Sequence, residues 1–182
     1  MRICLDAGHG GNDPGAVGPT KLTESEVNLD VCKRLASFLT AHGMTTCQTR
    51  VQVDEFVELH KRATIANEFH AEYFISVHCN SDGPSAYGVE TLYKSSTGEQ
   101  LAGHVQRALV EATHDRDRGL KHRSDLAVLN STSMPAILVE IGFISHPPTE
   151  SELRDVSHRQ LIAKAIAQGL FSFLGTTMHE KT

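Results

Sequence analysis

The stretch Leu5-Asp6-Ala7-Gly8-His9-Gly10-Gly11-Asn12-Asp13-Pro14-Gly15-Ala16 follows directly on Ile3-Cys4, so that a short apolar run enters a loop rich in glycine with one histidine at its centre. A strand that gives way to glycines is where an α/β protein places its ligand, because open sheets bind outside the carboxyl ends of their strands. A phosphate loop is the first chemistry to test, and it fails. The third glycine of G-x-G-x-x-G falls on Asp13, and no Gly-Lys-Ser/Thr follows. The glycines therefore serve His9. Taken alone, His9 reads as a loop histidine facing water; the rest of the chain has to supply its company.

Working outward, Arg2 to Ala7 reads as a short buried strand. Thr23-Glu24-Ser25-Glu26 has the pattern of a capping box, with Val27, Val31, Leu35, Phe38 and Leu39 at helical spacing behind it and His42-Gly43 as the stop. Met44 to Thr49 is the next strand, and strand–helix–strand makes a right-handed parallel unit the default. A second helix is expected over Val57 to His70, and Tyr73 to Val77 is a buried strand ending at His78. Gly88 to Tyr93 forms another strand, and Thr97-Gly98-Glu99-Gln100 opens a third helix. Gly119 to Asp125 reads as a charged loop, Leu126 to Leu129 as a short strand, and Ala136 to Ile141 as the most apolar strand of all. A last helix starts at Ser157-His158-Arg159-Gln160 and runs to about Leu174. The sum is an α/β fold in a single domain, a mixed six-stranded sheet flanked by about five helices. Residues 1–175 form the domain and 176–182 a disordered tail or the start of a linker.

Composition narrows the function classes. At 182 residues the chain can bury a proper core, and 40% hydrophobic with 21% charged residues is ordinary for a globular domain. A net charge of −5 with no basic block argues against nucleic acid as a partner. No apolar run is long enough for membrane insertion, and Met1-Arg2-Ile3 opens like a strand rather than a signal peptide. Synthesis and retention in the cytoplasm, export by a route without a signal peptide, or a secreted domain cut short is therefore expected. Cys4, Cys32, Cys47 and Cys79 lie apart without a C-x-x-C, as core thiols would.

Three strands end in side chains that apolar runs rarely carry: His9, His78 and Glu140. If those strands are parallel, all three emerge at one edge of the sheet, and Glu24, at the start of the first helix, lies near that edge too. Each has an ordinary reading: Glu24 suits a helix first turn, and His78 could bond a loop backbone. Glu140 between Val139 and Ile141 is harder to dismiss, because carboxylates are rarely buried without a partner. Two imidazoles and a carboxylate can hold zinc with a position open for water, and a further carboxylate can act as general base. Such a donor set would hold cobalt or nickel as well. No compact H-E-x-x-H is present. A cysteine hydrolase using Cys79 is the competing enzyme, although residues 78 and 79 of one strand point to opposite faces. A binding module that has lost catalysis is the competing non-enzyme.

With Glu24-Ser25-Glu26-Val27-Asn28-Leu29, Ser76-Val77-His78-Cys79-Asn80-Ser81 and Pro135-Ala136-Ile137-Leu138-Val139-Glu140-Ile141-Gly142-Phe143-Ile144-Ser145 added to the glycine loop, the chain resembles the zinc-dependent N-acetylmuramoyl-L-alanine amidases of the Amidase_3 type, from about Arg2 to Leu174. The resemblance implies His9, Glu24 and His78 as ligands of one Zn2+ ion and Glu140 as the catalytic glutamate. It implies peptidoglycan as substrate, cut between the lactyl group of N-acetylmuramic acid and L-alanine of the stem peptide. Ser25 stands where the family often has a basic residue, and Cys79 where a small or apolar one is common. No long inserted helix lies between Glu24 and Val77, so an open groove is expected, and a monomer that needs no obligatory activator.

Overall fold

The computed structural model describes residues 1–176. Its six strands are β1 (Arg2–Ala7), β2 (Thr45–Gln48), β3 (Tyr73–Asn80), β4 (Val89–Tyr93), β5 (Asp117–His122) and β6 (Ala136–Phe143). The helices are α1 (Glu24–Ala41), α2 (Leu59–Glu68), α3 (Ser96–Thr113), α4 (Ala127–Ser131), α5 (Pro147–Arg154) and α6 (Val156–Phe173). One sheet holds all the strands in the order β2-β1-β3-β6-β4-β5. β2, β1, β3 and β6 run parallel; β4 pairs antiparallel with β6, and β5 follows β4. The sheet is therefore mixed, and β1, β3 and β6 deliver their carboxyl ends to one edge.

Alternation along the strands divides the core in two. Ile3, Leu5, Ile75, Val77, Ile137, Val139 and Ile141 pack with residues of α1, α3 and α6 in the larger cluster. Cys4, Phe74, Leu92, Ala136 and Leu138 face the other way, under Ala66 of α2 and Val128 and Leu129 of α4. The two short helices cover this second face next to the amino-terminal halves of the strands. Farther along the same strands and face come Asp6, Ser76, His78 and Glu140.

Several expectations need correction. Leu126–Leu129 is not a strand: α4 begins at Ala127, burying Val128 and Leu129 over the sheet. The sixth strand is instead β5, which overlaps the stretch from Gly119 expected to be a charged loop. Its charge is that of an edge strand, whose free side must be kept polar. α5 was not foreseen, and it brings the helices to six. None of the three capping boxes forms as expected. Thr23 makes no capping side-chain bond, whereas α3 is capped by Ser95 and α6 by Asp155, each two residues before the expected cap. Of the expected tail, 177–182 lie outside the described residues, and the Thr176 amide still donates to the Phe171 carbonyl at 3.0 Å.

Candidate active site

His9 leaves β1 in a left-handed backbone conformation, φ 62°, which few residues with a Cβ adopt. Its Nδ1 bonds Asp13 Oδ2 at 2.8 Å, an i to i+4 contact within the glycine loop, which turns Nε2 inward to 3.3 Å from Glu24 Oε1. His78 lies inside β3 rather than after it, and its Nδ1 reaches the same Glu24 oxygen at 2.9 Å. The two rings meet edge to face, their centroids 5.0 Å apart. Glycine is required where the loop passes this pair: a Cβ on Gly8 would fall on the His78 ring, and one on Gly15 would meet both His9 and Glu24.

Glu24 is 3% exposed in the first turn of α1. The backbone holds its carboxylate from two sides, with the Ala16 amide donating to Oε2 (2.9 Å) and the Cys79 amide to Oε1 (3.0 Å). Asn28 Nδ2 adds a third bond, at 3.3 Å to Oε1. Burial by itself would raise this carboxyl, but the hydrogen bonds with His78 and His9 outweigh it and hold Glu24 far below the usual carboxylate range. Reciprocally, the bond to Glu24 lifts His9 to about 9. His78 rises too, against burial that pulls it down, through the same carboxylate.

Glu140 pairs in register with His78 on one side and with Glu90 of β4 on the other, which places the three on one face of the sheet. Just beyond, 78↔140 gives way to 80↔143, a bulge that spends one extra residue on β6, with Gly142 at φ 151°. Glu90 is held by Asn80 Nδ2 (3.0 Å) and Arg118 Nε (2.9 Å). Glu140 has no such support. Its Oε2 is buried with no hydrogen-bond partner, and burial pushes its carboxyl up to about 7. An uncommitted carboxyl titrating near neutrality suits proton transfer in both directions.

The residues fit a divalent metal. Donor atoms of His9, Glu24 and His78 lie within 4.8 Å of one another, and the chemistry is that of an open zinc site: two imidazoles and a carboxylate from three separate elements. Asp13 on the far nitrogen of His9 is the outer carboxylate that such histidines usually carry. Beside His9 and His78, a cavity of about 420 Å³ opens between α2 and α4, walled by Phe56, Val57, Leu59, Val128 and Leu138. Phe56 and Leu59 are exposed there.

The structure thus brings together all four residues expected from the sequence. Cys79 departs from them. It is buried on the opposite face, its thiol directed at Asn28 Oδ1 (3.6 Å) and pushed well above its normal pKa by burial, and so cannot supply a nucleophile. Not foreseen were Arg50, Arg62 and Asp6, all buried beneath the glycine loop. Charged residues are by default read as exposed, and only their number just outside apolar runs could have hinted otherwise.

Residues 3–172 match the family described as N-acetylmuramoyl-L-alanine amidase, Amidase_3. The chain is 36% identical over 175 residues to the uncharacterized protein YqiI of Bacillus subtilis, covering 94% of this chain and 84% of that one. It is 35% identical over 176 residues to the N-acetylmuramoyl-L-alanine amidase LytC of Bacillus subtilis, covering 94% of this chain but only 35% of LytC. Among solved structures, the amidase AmiC2 of Nostoc punctiforme superposes with a TM-score of 0.91 at 35% identity, over 96% of this chain and 97% of that one.

Proposed function

The chain belongs to the N-acetylmuramoyl-L-alanine amidase family, and from that premise we propose that it hydrolyses peptidoglycan at the amide between the lactyl group of N-acetylmuramic acid and L-alanine of the stem peptide. Residues 1–175 are the catalytic unit. His9, Glu24 and His78 hold one zinc ion, and Glu140 is the general base and acid. The observation that carries this reading is the unpartnered, buried Glu140 oxygen on the residue in register with His78, one of the three clustered donor groups.

When bound, the ion supplies Lewis acidity to the scissile carbonyl and lowers the pKa of an attacking water. The residues supply the rest. Ala16, Cys79 and Asn28 fix the Glu24 carboxylate, and Asp13 fixes His9, so the donors need little rearrangement on metal binding. Glu140 takes the proton of the attacking water on its free Oε2 and returns it to the departing alanine amine. The cavity between α2 and α4, which borders His9 and His78, receives the part of the substrate next to the scissile bond.

Between α1 and β3 the only helix is the ten-residue α2, which lines the cavity rather than filling it. An open cavity supports a site that needs no activator to clear it, and on this reading the protein acts on the cell wall as a monomer. No helix among the described residues is long and apolar enough to cross a membrane. Purified sacculi test the reading. The chain with zinc should release new L-alanine amino termini without reducing sugars, and a chelator should stop it. Zinc binding with no release would leave a wall-binding role in its place.

A further inference from the structure

Two arginines lie beneath the glycine loop, Arg50 1% and Arg62 2% exposed. Between them they take the carbonyls of three consecutive residues. Arg62 Nη1 donates to Ala7 O (2.7 Å) and Nη2 to His9 O (2.9 Å); Arg50 Nε donates to Ala7 O (3.0 Å) and Nη2 to Gly8 O (3.0 Å). Arg50 Nη2 also reaches Ser25 O (2.7 Å), beside Glu24, and Arg62 Nε reaches Val57 O (2.9 Å) in the cavity wall. Asp6, fully buried, accepts from Arg62 Nη1 at 2.8 Å and is held in turn by Ser76 Oγ (2.6 Å) and Thr49 Oγ1 (2.7 Å).

We propose that Arg62, aimed by Asp6, is a positioning residue for metal binding: its bond to the His9 carbonyl holds that residue in its left-handed conformation and so presents Nε2 to the ion. A histidine at φ 62° is strained unless its surroundings determine the backbone. The His9 carbonyl accepts from Arg62 and the Gly8 carbonyl from Arg50 and, at 3.3 Å, from Asn28 Nδ2, while the Gly10 amide donates to Asp13 O. Lysine cannot replace the fork, since one ammonium cannot span the Ala7, His9 and Val57 carbonyls while also pairing with Asp6.

The inference rests on the metal site proposed above and is tested apart from activity. Zinc affinity is measured on the folded whole chain by competition with a chromophoric chelator, for wild type, Arg62→Lys and Leu109→Ala. Leu109→Ala opens a cavity in α3 and lowers the melting temperature far from the loop. Arg62→Lys should bind zinc about 10- to 100-fold more weakly, the range for outer partners of metal ligands, while Leu109→Ala binds like wild type. If Arg62→Lys does not fold, Ser76→Ala, which slackens Asp6, carries the test with a several-fold loss expected. Wild-type affinity in the folded Arg62→Lys or Ser76→Ala variant overturns the inference, as does an equal loss in Leu109→Ala. Failure of wild type to bind zinc would instead overturn the metal reading itself.

Discussion

Replacing Glu140 by glutamine should stabilise the metal-free protein while disabling the enzyme. Glutamine has nearly the same shape and carries no charge. In the folded chain, burial pushes the Glu140 carboxyl from 4.5 up to about 7. At about 1.4 kcal/mol per pKa unit, ionising it inside the fold costs about 3 kcal/mol more than in the unfolded chain. The sign follows from proton binding. Below pH 4.5 both states hold the proton and there is no penalty. Between 4.5 and 7 the unfolded chain releases it first and stability falls; above 7 the loss is complete. Denaturant unfolding of the chelator-treated proteins from pH 4.5 to 8.5 should show wild type and Glu140→Gln diverging by up to about 3 kcal/mol, or about 6–12 °C in Tm for a chain of this size. Adding zinc should narrow the gap, because a nearby cation favours the carboxylate. Turnover should fall about 10²–10⁴-fold, the usual worth of general acid–base catalysis. A stability difference that does not change with pH would refute the burial argument, whatever happened to activity.

Other consequences follow from the same contacts. Gly8→Ala sets a methyl group into the His78 ring and should weaken zinc binding in equilibrium dialysis more than it lowers Tm. Iodoacetamide should leave activity unchanged under native conditions, because Cys79 is buried with its thiol raised; rapid inactivation with Cys79 modified would revive a cysteine mechanism. Without metal, the bond to Glu24 keeps His9 protonated up to about pH 9. Zinc must displace that proton, so calorimetry at pH 7 should detect proton release and affinity should climb as pH approaches 9; a flat profile would contradict this.

The central sheet and the site could be read from the sequence because their signals reinforce each other. Ile3–Ala7, Phe74–Val77 and Ala136–Ile141 are apolar enough to be buried on both faces, and polar residues on such strands stand out. The strand ends were less legible. His78 and Asn80 interrupt the apolar pattern and look like loop, yet β3 continues through them because this end of the strand carries the polar groups of the site. The sheet margin was misread for a related reason. β5, Asp-Arg-Gly-Leu-Lys-His, has the polarity of a loop because one side of it has no neighbouring strand, while the apolar Leu126-Ala127-Val128-Leu129 forms the start of the short helix α4. Asp155 and Ser95 won the capping positions because each stands where the chain turns into its helix, a geometry that spacing alone does not reveal. The buried arginines left little pattern, since most of their partners are backbone carbonyls distant in sequence.

One measurement bears most directly on the account: metal content and product analysis on the same preparations of wild type, His9→Ala and Glu140→Gln. Wild type should carry one zinc per chain and release L-alanine amino termini from sacculi, Glu140→Gln should keep its zinc and lose release, and His9→Ala should lose both. Substantial release by Glu140→Gln, or by wild type stripped of metal, would contradict this.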